Sequence, residues 1–170
     1  STWGSLYQQR PTIGAGGMFR REYFRYFRDG GDFWVLPDPA TGLERKILKR
    51  DTWCFMSIDT AVKEKTLNDY WAAQVWLVVK SHRDETGALV SGDMMLLEQW
   101  RAQSETPKAE ATIRAMVARY KPLFIGIEDA QSGSVLIQRF RMDGLPVKGV
   151  RADRDKVTRA TLAEVYMSNH

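Results

Sequence analysis

Residues 124–133 read FIGIEDAQSG, an apolar run that ends in two consecutive carboxylates, Glu128 and Asp129, before breaking at Ser-Gly. The helical pattern SVLIQRFRMDG (134–144) and a further apolar stretch, LPVKGVR (145–151), follow it, so the region reads as strand, helix, strand. Upstream, TWCFMSID (52–59), YWAAQVWLVVK (70–80) and ALVSGDMMLLEQW (88–100) read as three meandering strands, the last two joined by the polar SHRDETG. The first of these is continuously apolar, as expected of a strand buried on both faces. ETPKAEATIRAMVARYK (105–121) carries Pro107 in its opening turn and Ile113, Met116, Val117 and Tyr120 at helical spacing, which predicts a helix leading into the fourth strand, PLFIGIE (122–128). DKVTRATLAEVYM (155–167) predicts a last helix.

Strand-helix-strand units make their strands parallel with right-handed crossovers, so the fourth strand belongs in the same sheet, and its natural place is beside the first. The expectation is a mixed α/β sheet of five strands, three antiparallel and then two parallel, flanked by helices. In such sheets polar residues at the carboxyl ends of strands project into a crevice where ligands bind. Asp59 ends the first strand and Glu128 the fourth, so neighbouring strands would bring the two carboxylates across one interstrand gap.

The front end is less regular. PTIGAGGMF is a Gly-rich loop, and Phe19, Tyr23 and Phe27 recur every four residues through MFRREYFRYFRDGG, which predicts a short amphipathic helix closed by Gly30-Gly31. FWVLP, a turn at PATG and LERKILK predict a hairpin. No Lys-Ser/Thr follows Gly14, Gly16 and Gly17, so they read as a connection and not as a phosphate loop. Without internal repeats or a low-complexity linker, residues 1–170 read as one domain, with 1–50 an extension and 51–170 the core.

Composition narrows the chemistry. One cysteine, Cys54, excludes an internal disulfide, and its apolar setting makes it a small buried hydrophobe and not a nucleophile. With only His82 and His170 beside it, a structural zinc site of ordinary spacing is not expected. There is no apolar run of membrane-spanning length and no basic-then-apolar leader, so neither a membrane nor an export route is expected. The net charge of +4 leans towards a polyanionic partner, and the basic residues concentrate: Arg139, Arg141, Lys148, Arg151, Arg154, Lys156 and Arg159 fall in one segment with three acids.

Two carboxylates about 4 Å apart repel by roughly 4 kcal/mol at an effective dielectric near 20, so a proton or a cation must join them. Acids without His/Cys ligands favour a hard divalent ion, Mg²⁺ or Mn²⁺, and two such ions support phosphodiester hydrolysis. With the basic segment, this points to a metal-dependent nuclease. Glu128 is the preferred ligand and Asp129, on the opposite face if the strand continues, the reserve. Asp59 alone would also suit a turn cap. Asp69, just before the second strand, is a candidate for the outer shell of the metal. Lys156 and Arg159 share one side of the last helix and could bind phosphate, with Arg151 and Arg154 in the same basic stretch.

Together, TWGSLYQQRP, MFRREYF, SIDTA followed by NDYW, FIGIEDAQSG and DKVTRA resemble the carboxyl-terminal nuclease domain of tailed-phage large terminases, over nearly the whole chain. The resemblance implies an RNase H-like fold and cleavage of concatemeric double-stranded viral DNA during packaging, with two divalent metals held by three acids. Asp59 resembles the first-strand acid, Glu128 the fourth-strand acid, and Lys156 and Arg159 the basic pair after the fifth strand. YQQRP and MFRREYF resemble the stretch leading out of a packaging ATPase domain, which these residues do not include. The implied partners are that ATPase domain, the portal protein and the small terminase subunit; the implied place is the host cytoplasm, transiently at the procapsid portal. The third acid of the family lies on a later helix, and the sequence reaches MSNH without it, so weak cutting or none is expected of the chain as written. Another RNase H-like nuclease (a resolvase or ribonuclease H), a non-catalytic DNA-binding or docking module and a sugar-kinase-like ATPase half are the competing readings.

Overall fold

Along Trp71–Val79 every second side chain is buried, which marks a strand with one face in the core. The computed structural model describes residues 23–38, 41–60, 70–83, 86–87, 89–90, 93–129, 132–151, 160–161 and 163. In chain order its elements are β1 (Arg28–Asp29), β2 (Phe33–Pro37), β3 (Glu44–Leu48), β4 (Thr52–Asp59), β5 (Trp71–Val79), β6 (His82–Arg83), β7 (Leu89–Val90), β8 (Met94–Ala102), α1 (Thr106–Tyr120), β9 (Ile125–Glu128), α2 (Ser132–Met142) and β10 (Val147–Val150). The chain divides into two units, residues 27–152 and residues 1–26 with 153–170. Every numbered element belongs to the first unit; of the second, Ala160, Thr161 and Ala163 are helical.

The main sheet runs β10-β9-β4-β5-β8. Strand β5 is antiparallel to both β4 and β8, whereas β9 is parallel to both β4 and β10. This is the mixed five-stranded arrangement expected from the sequence, with the fourth long strand beside the first. On its inner face Met56, Ile58, Val75, Ile125 and Ile127 pack against Ile113 and Met116 of α1 and Leu136, Ile137 and Phe140 of α2. Fully burying side chains of this size contributes about 1.5–3 kcal/mol each. A buried acid ties the two helices: Glu110 on α1 accepts from Arg139 on α2, and Arg114 donates to Asp143 at 2.6 Å while lying over the Phe140 ring.

Three local expectations are corrected. From Phe24 onwards the predicted amphipathic helix is not formed. Instead Arg28 and Asp29 pair with Val35 and Trp34, and Asp29-Gly30-Gly31 makes a hairpin turn, with Gly31 at φ 87° and its N–H donating to Asp29 Oδ1 at 2.9 Å. The recurring aromatics mimic a helix, but Phe27 packs edge-on against Trp34, 5.5 Å between ring centres. The predicted strand 88–100 is also divided. Leu89–Val90 pairs with His82–Arg83 as a separate ribbon, and the sheet strand begins only at Met94. Finally, β4 is not buried on both sides: Met56 and Ile58 are, whereas Trp53, Phe55 and Ser57 on the other face are half-buried. The predicted hairpin is present as β2 and β3, and its Trp34 and Ile47 pack on Leu77, Val79 and Met95 at the far end of the sheet. The Gly14–Gly17 loop, the helix start at 18–22 and most of the last helix lie outside the described residues.

Strand β8 contains a bulge. Leu96 pairs with Trp76 but Glu98 pairs with Val75, so Leu97 is an extra residue. Before it, Met94 and Leu96 face outward with Val78 and Trp76; after it, Gln99 and Arg101 do, opposite Gln74 and Ala72. Glu98 is thereby turned inward, where it accepts from Tyr120 at the end of α1 and lies 3.4 Å from Arg119.

That hydrogen bond holds the Tyr120 phenol above its ordinary range, because donation to a carboxylate favours the neutral phenol; burial adds to the effect. A folded-state pKa raised above the unfolded one stabilises the fold fully below about pH 10 and loses that contribution as pH rises through the folded value. Tyr120→Phe is therefore expected to cost about 1 kcal/mol at neutral pH. The gap between variant and wild type, measured by urea unfolding, should close above pH 10; a gap independent of pH would contradict the assignment.

Candidate active site

Parallel pairing of β4 with β9 sets the site. Met56 lies opposite Ile125, Ser57 opposite Gly126 and Ile58 opposite Ile127, and the next residue on each strand is its last, Asp59 on β4 and Glu128 on β9. Because side chains alternate, Ser57, Asp59, Gly126 and Glu128 share the outer face, away from α1 and α2. Neighbouring strands are about 4.8 Å apart, so the two acids stand side by side at the carboxyl end of the pair. Asp59 is exposed and Glu128 half-buried.

Register extends this row across the sheet. Ala72 on β5 is opposite Asp59, Arg101 on β8 is opposite Ala72, and Val150 on β10 is opposite Glu128. One step back from the strand ends lies a second polar row. Ser57 Oγ donates to Gln74 Oε1 at 3.4 Å, Gln74 Nε2 donates to Gln99 Oε1 at 3.3 Å, and Gly126 and Lys148 continue the row on β9 and β10. A third row is aromatic: Phe55 and Phe124 stack with centroids 5.1 Å apart, Trp53 lies 6.1 Å from Phe124, and Lys148 Nζ sits 4.7 Å over the Phe124 ring. The outer face thus grades from charged through amide to aromatic with distance from the acids.

Asp129 is elsewhere. Its amide donates to the Val150 carbonyl at 2.8 Å, its Oδ1 accepts from Ser134 Oγ at 2.8 Å, and its side chain lies beside Gly149 together with Ile137 of α2. It is thus on the helix side of the sheet, at the start of α2. Arg151 is exposed just past β10. Asp69, Arg154, Lys156 and Arg159 lie outside the described residues. Among the described residues no group of three or more His, Cys, Asp and Glu converges as a metal site. The Cys54 thiol is pushed up by burial and donates to the Tyr120 carbonyl at 3.1 Å, which agrees with a structural thiol.

Two features of this face were not singled out from sequence: the Gln74–Gln99 ladder and Arg101. The alternation in LEQWRA that would reveal them is displaced by the bulge at Leu97, which has no clear sequence signal.

A mixed sheet in this order, with acids ending its adjacent central parallel strands and helices on the opposite face, defines the RNase H-like class. The description "terminase RNase H-like domain" belongs to the family model that matches residues 56–169, and the chain is a member of that family. Two crystal structures of the large terminase nuclease from thermophilic phage G20c are similar to it, one with bound zinc and one with bound magnesium. Each is 14% identical over 84% of this chain, covering 70% and 64% of those chains, with TM-scores of 0.45 and 0.46 respectively. No curated protein sequence matches the chain significantly.

Gly133 matters here for its closeness to the strand end and not for a left-handed backbone. A Cβ at that position would run into the Glu128 carbonyl oxygen and come within 3.5 Å of Ile127 Cγ2, so the first turn of α2 can rest on β9 only without a side chain. A Cβ at Gly126, in contrast, would meet its nearest atom, Val150 Cγ2, at 3.5 Å, an ordinary contact. Gly133→Ala is therefore expected to cost about 2 kcal/mol, as an overpacked site does. Gly126→Ala should stay within about 0.5 kcal/mol of wild type. Urea unfolding of both variants checks the contrast.

Proposed function

We propose that this chain is a metal-dependent endonuclease domain that cuts concatemeric double-stranded viral DNA during genome packaging. The observation that carries the reading is the parallel register that ends neighbouring strands on Asp59 and Glu128, in a member of the terminase RNase H-like family. Within the proposal, residues 51–170 are the catalytic core and residues 1–50 an extension leading from an ATPase domain. The domain works in the host cytoplasm beside the portal protein and small terminase subunit.

The donor set fits a hard cation. Asp59 and Glu128 offer carboxylate oxygens on one face, while Ser57 and Gln74, one row back, are bonded to each other. Mg²⁺ or Mn²⁺ takes such oxygen ligands and leaves positions for water and phosphate. A pair of these ions, when bound, supplies an activated water and stabilises the leaving oxygen of the phosphodiester. A third carboxylate is needed to complete the set, and none of the described residues converges with the other two. Asp69 is assigned to the outer shell. Asp129, held by Ser134 on the helix side, is assigned a positioning role at the end of β9.

Lys156, Arg159, Arg154 and Arg151 are assigned to the phosphate backbone. Such contacts position a duplex without reading its bases, so cutting is expected to be largely independent of sequence. Ser57 and the glutamines would face sugar and phosphate oxygens with hydrogen-bonding groups.

The full-length protein carrying this domain is expected to nick plasmid DNA with Mn²⁺ and to stop when the metal is chelated. Asp59→Asn should abolish nicking while leaving the fold unchanged by circular dichroism. An RNA/DNA hybrid should be cut more slowly than duplex DNA. Continued nicking by Asp59→Asn would overturn the assignment.

A further inference from the structure

We propose that Arg101 binds the DNA phosphate flanking the one that is cut, which makes the far edge strand β8 part of the substrate cradle. This rests on the nuclease reading above. Arg101 is opposite Ala72, and Ala72 is opposite Asp59, so the guanidinium and the acids rise from the same face at the same level of the sheet. Two interstrand gaps, about 10 Å, separate the backbones of Asp59 and Arg101. Ala72 is the residue between them, so no bulky side chain of β5 stands in that gap. The row therefore places a cation, a small floor and two carboxylates in one line.

The guanidinium is also held at that end of the sheet. Its Cζ lies 4.0 Å from the centre of the Tyr70 ring, immediately before β5. Stacking uses the flat face of a guanidinium, whereas its N–H groups lie in the plane, and planar donation suits phosphate oxygens. Gln99, two residues earlier on the same face, continues the polar surface through its bond with Gln74. Both Arg101 and Gln99 are exposed.

A strand bound across this row would meet Asp59 and Glu128 at the scissile phosphate and Arg101 at a neighbour. Arg101 would then anchor the backbone on the side of the acids opposite β10 and Arg151. An arginine engaged only within the protein, stacked on Tyr70 and without a role in binding, is the alternative that the test must separate.

The test uses the full-length protein with Arg101→Gln, Arg101→Lys and Asp59→Asn. Affinity for a short duplex is measured by fluorescence anisotropy across a salt series with Ca²⁺ in place of Mn²⁺, and plasmid nicking is measured with Mn²⁺. Arg101→Gln is expected to lower the slope of log affinity against log salt by about one, the loss of one phosphate contact. It should also raise KM for nicking more than it lowers kcat. Arg101→Lys should restore the slope, which a purely structural role would not require. An unchanged slope in Arg101→Gln, or one that Lys does not restore, overturns the proposal. If Arg101→Gln is silent while Asp59→Asn abolishes nicking, the nuclease reading stands and only Arg101 falls. If Asp59→Asn nicks like wild type, the nuclease reading falls and takes the Arg101 role with it.

Discussion

The alignment of β4 with β9 is the constraint on which the candidate site depends. Parallel strands cannot be joined by a tight turn, so the chain leaves β8, crosses the inner face as α1 and re-enters beside β4. That crossover is fixed by Ile113 and Met116, which seat α1 on the sheet. Once Ile58 lies beside Ile127, Asp59 and Glu128 end their strands together. Because pleated side chains alternate, slipping this register by one residue would turn Met56 and Ile58 out of the core, so hydrophobic burial holds the acids in place.

The two faces of the sheet divide the labour. The inner face is apolar and doubly roofed by helices, with Glu110 satisfied by Arg139 and Arg114 where the helices meet. The outer face carries polar groups bonded to one another across the strands, Ser57 to Gln74 and Gln74 to Gln99. Close approach at Gly133 joins the two: the helix that seals the interior packs directly on the backbone of Glu128.

The strand order and the position of Asp59 and Glu128 could be read from residues because both are carried by local pattern. Apolar runs ending in acids mark strand ends, and helical spacing between them dictates parallel pairing. Where the reading failed, a tertiary contact outweighed a local one. Phe27 keeps the spacing of a helix with Tyr23, yet the chain gains more by pairing Arg28 and Asp29 with Trp34 and Val35 and by resting Phe27 on Trp34. Glu128 and Asp129, alike in the sequence, stand on opposite faces in the structure, because β9 ends at residue 128 and Asp129 is bonded by Ser134 on the helix side. Arg101 was illegible because one residue of phase separates the two halves of β8.

That phase change has its own consequence. Upstream of Leu97 the outward positions carry Met94 and Leu96; downstream they carry Gln99 and Arg101. The chemical character of this edge is therefore governed by how many residues the strand contains, independently of which they are. Single-codon insertions or deletions near Leu97 would exchange interior for exterior along half the strand, giving relatives of this fold an abrupt evolutionary route to different surfaces on an unchanged framework.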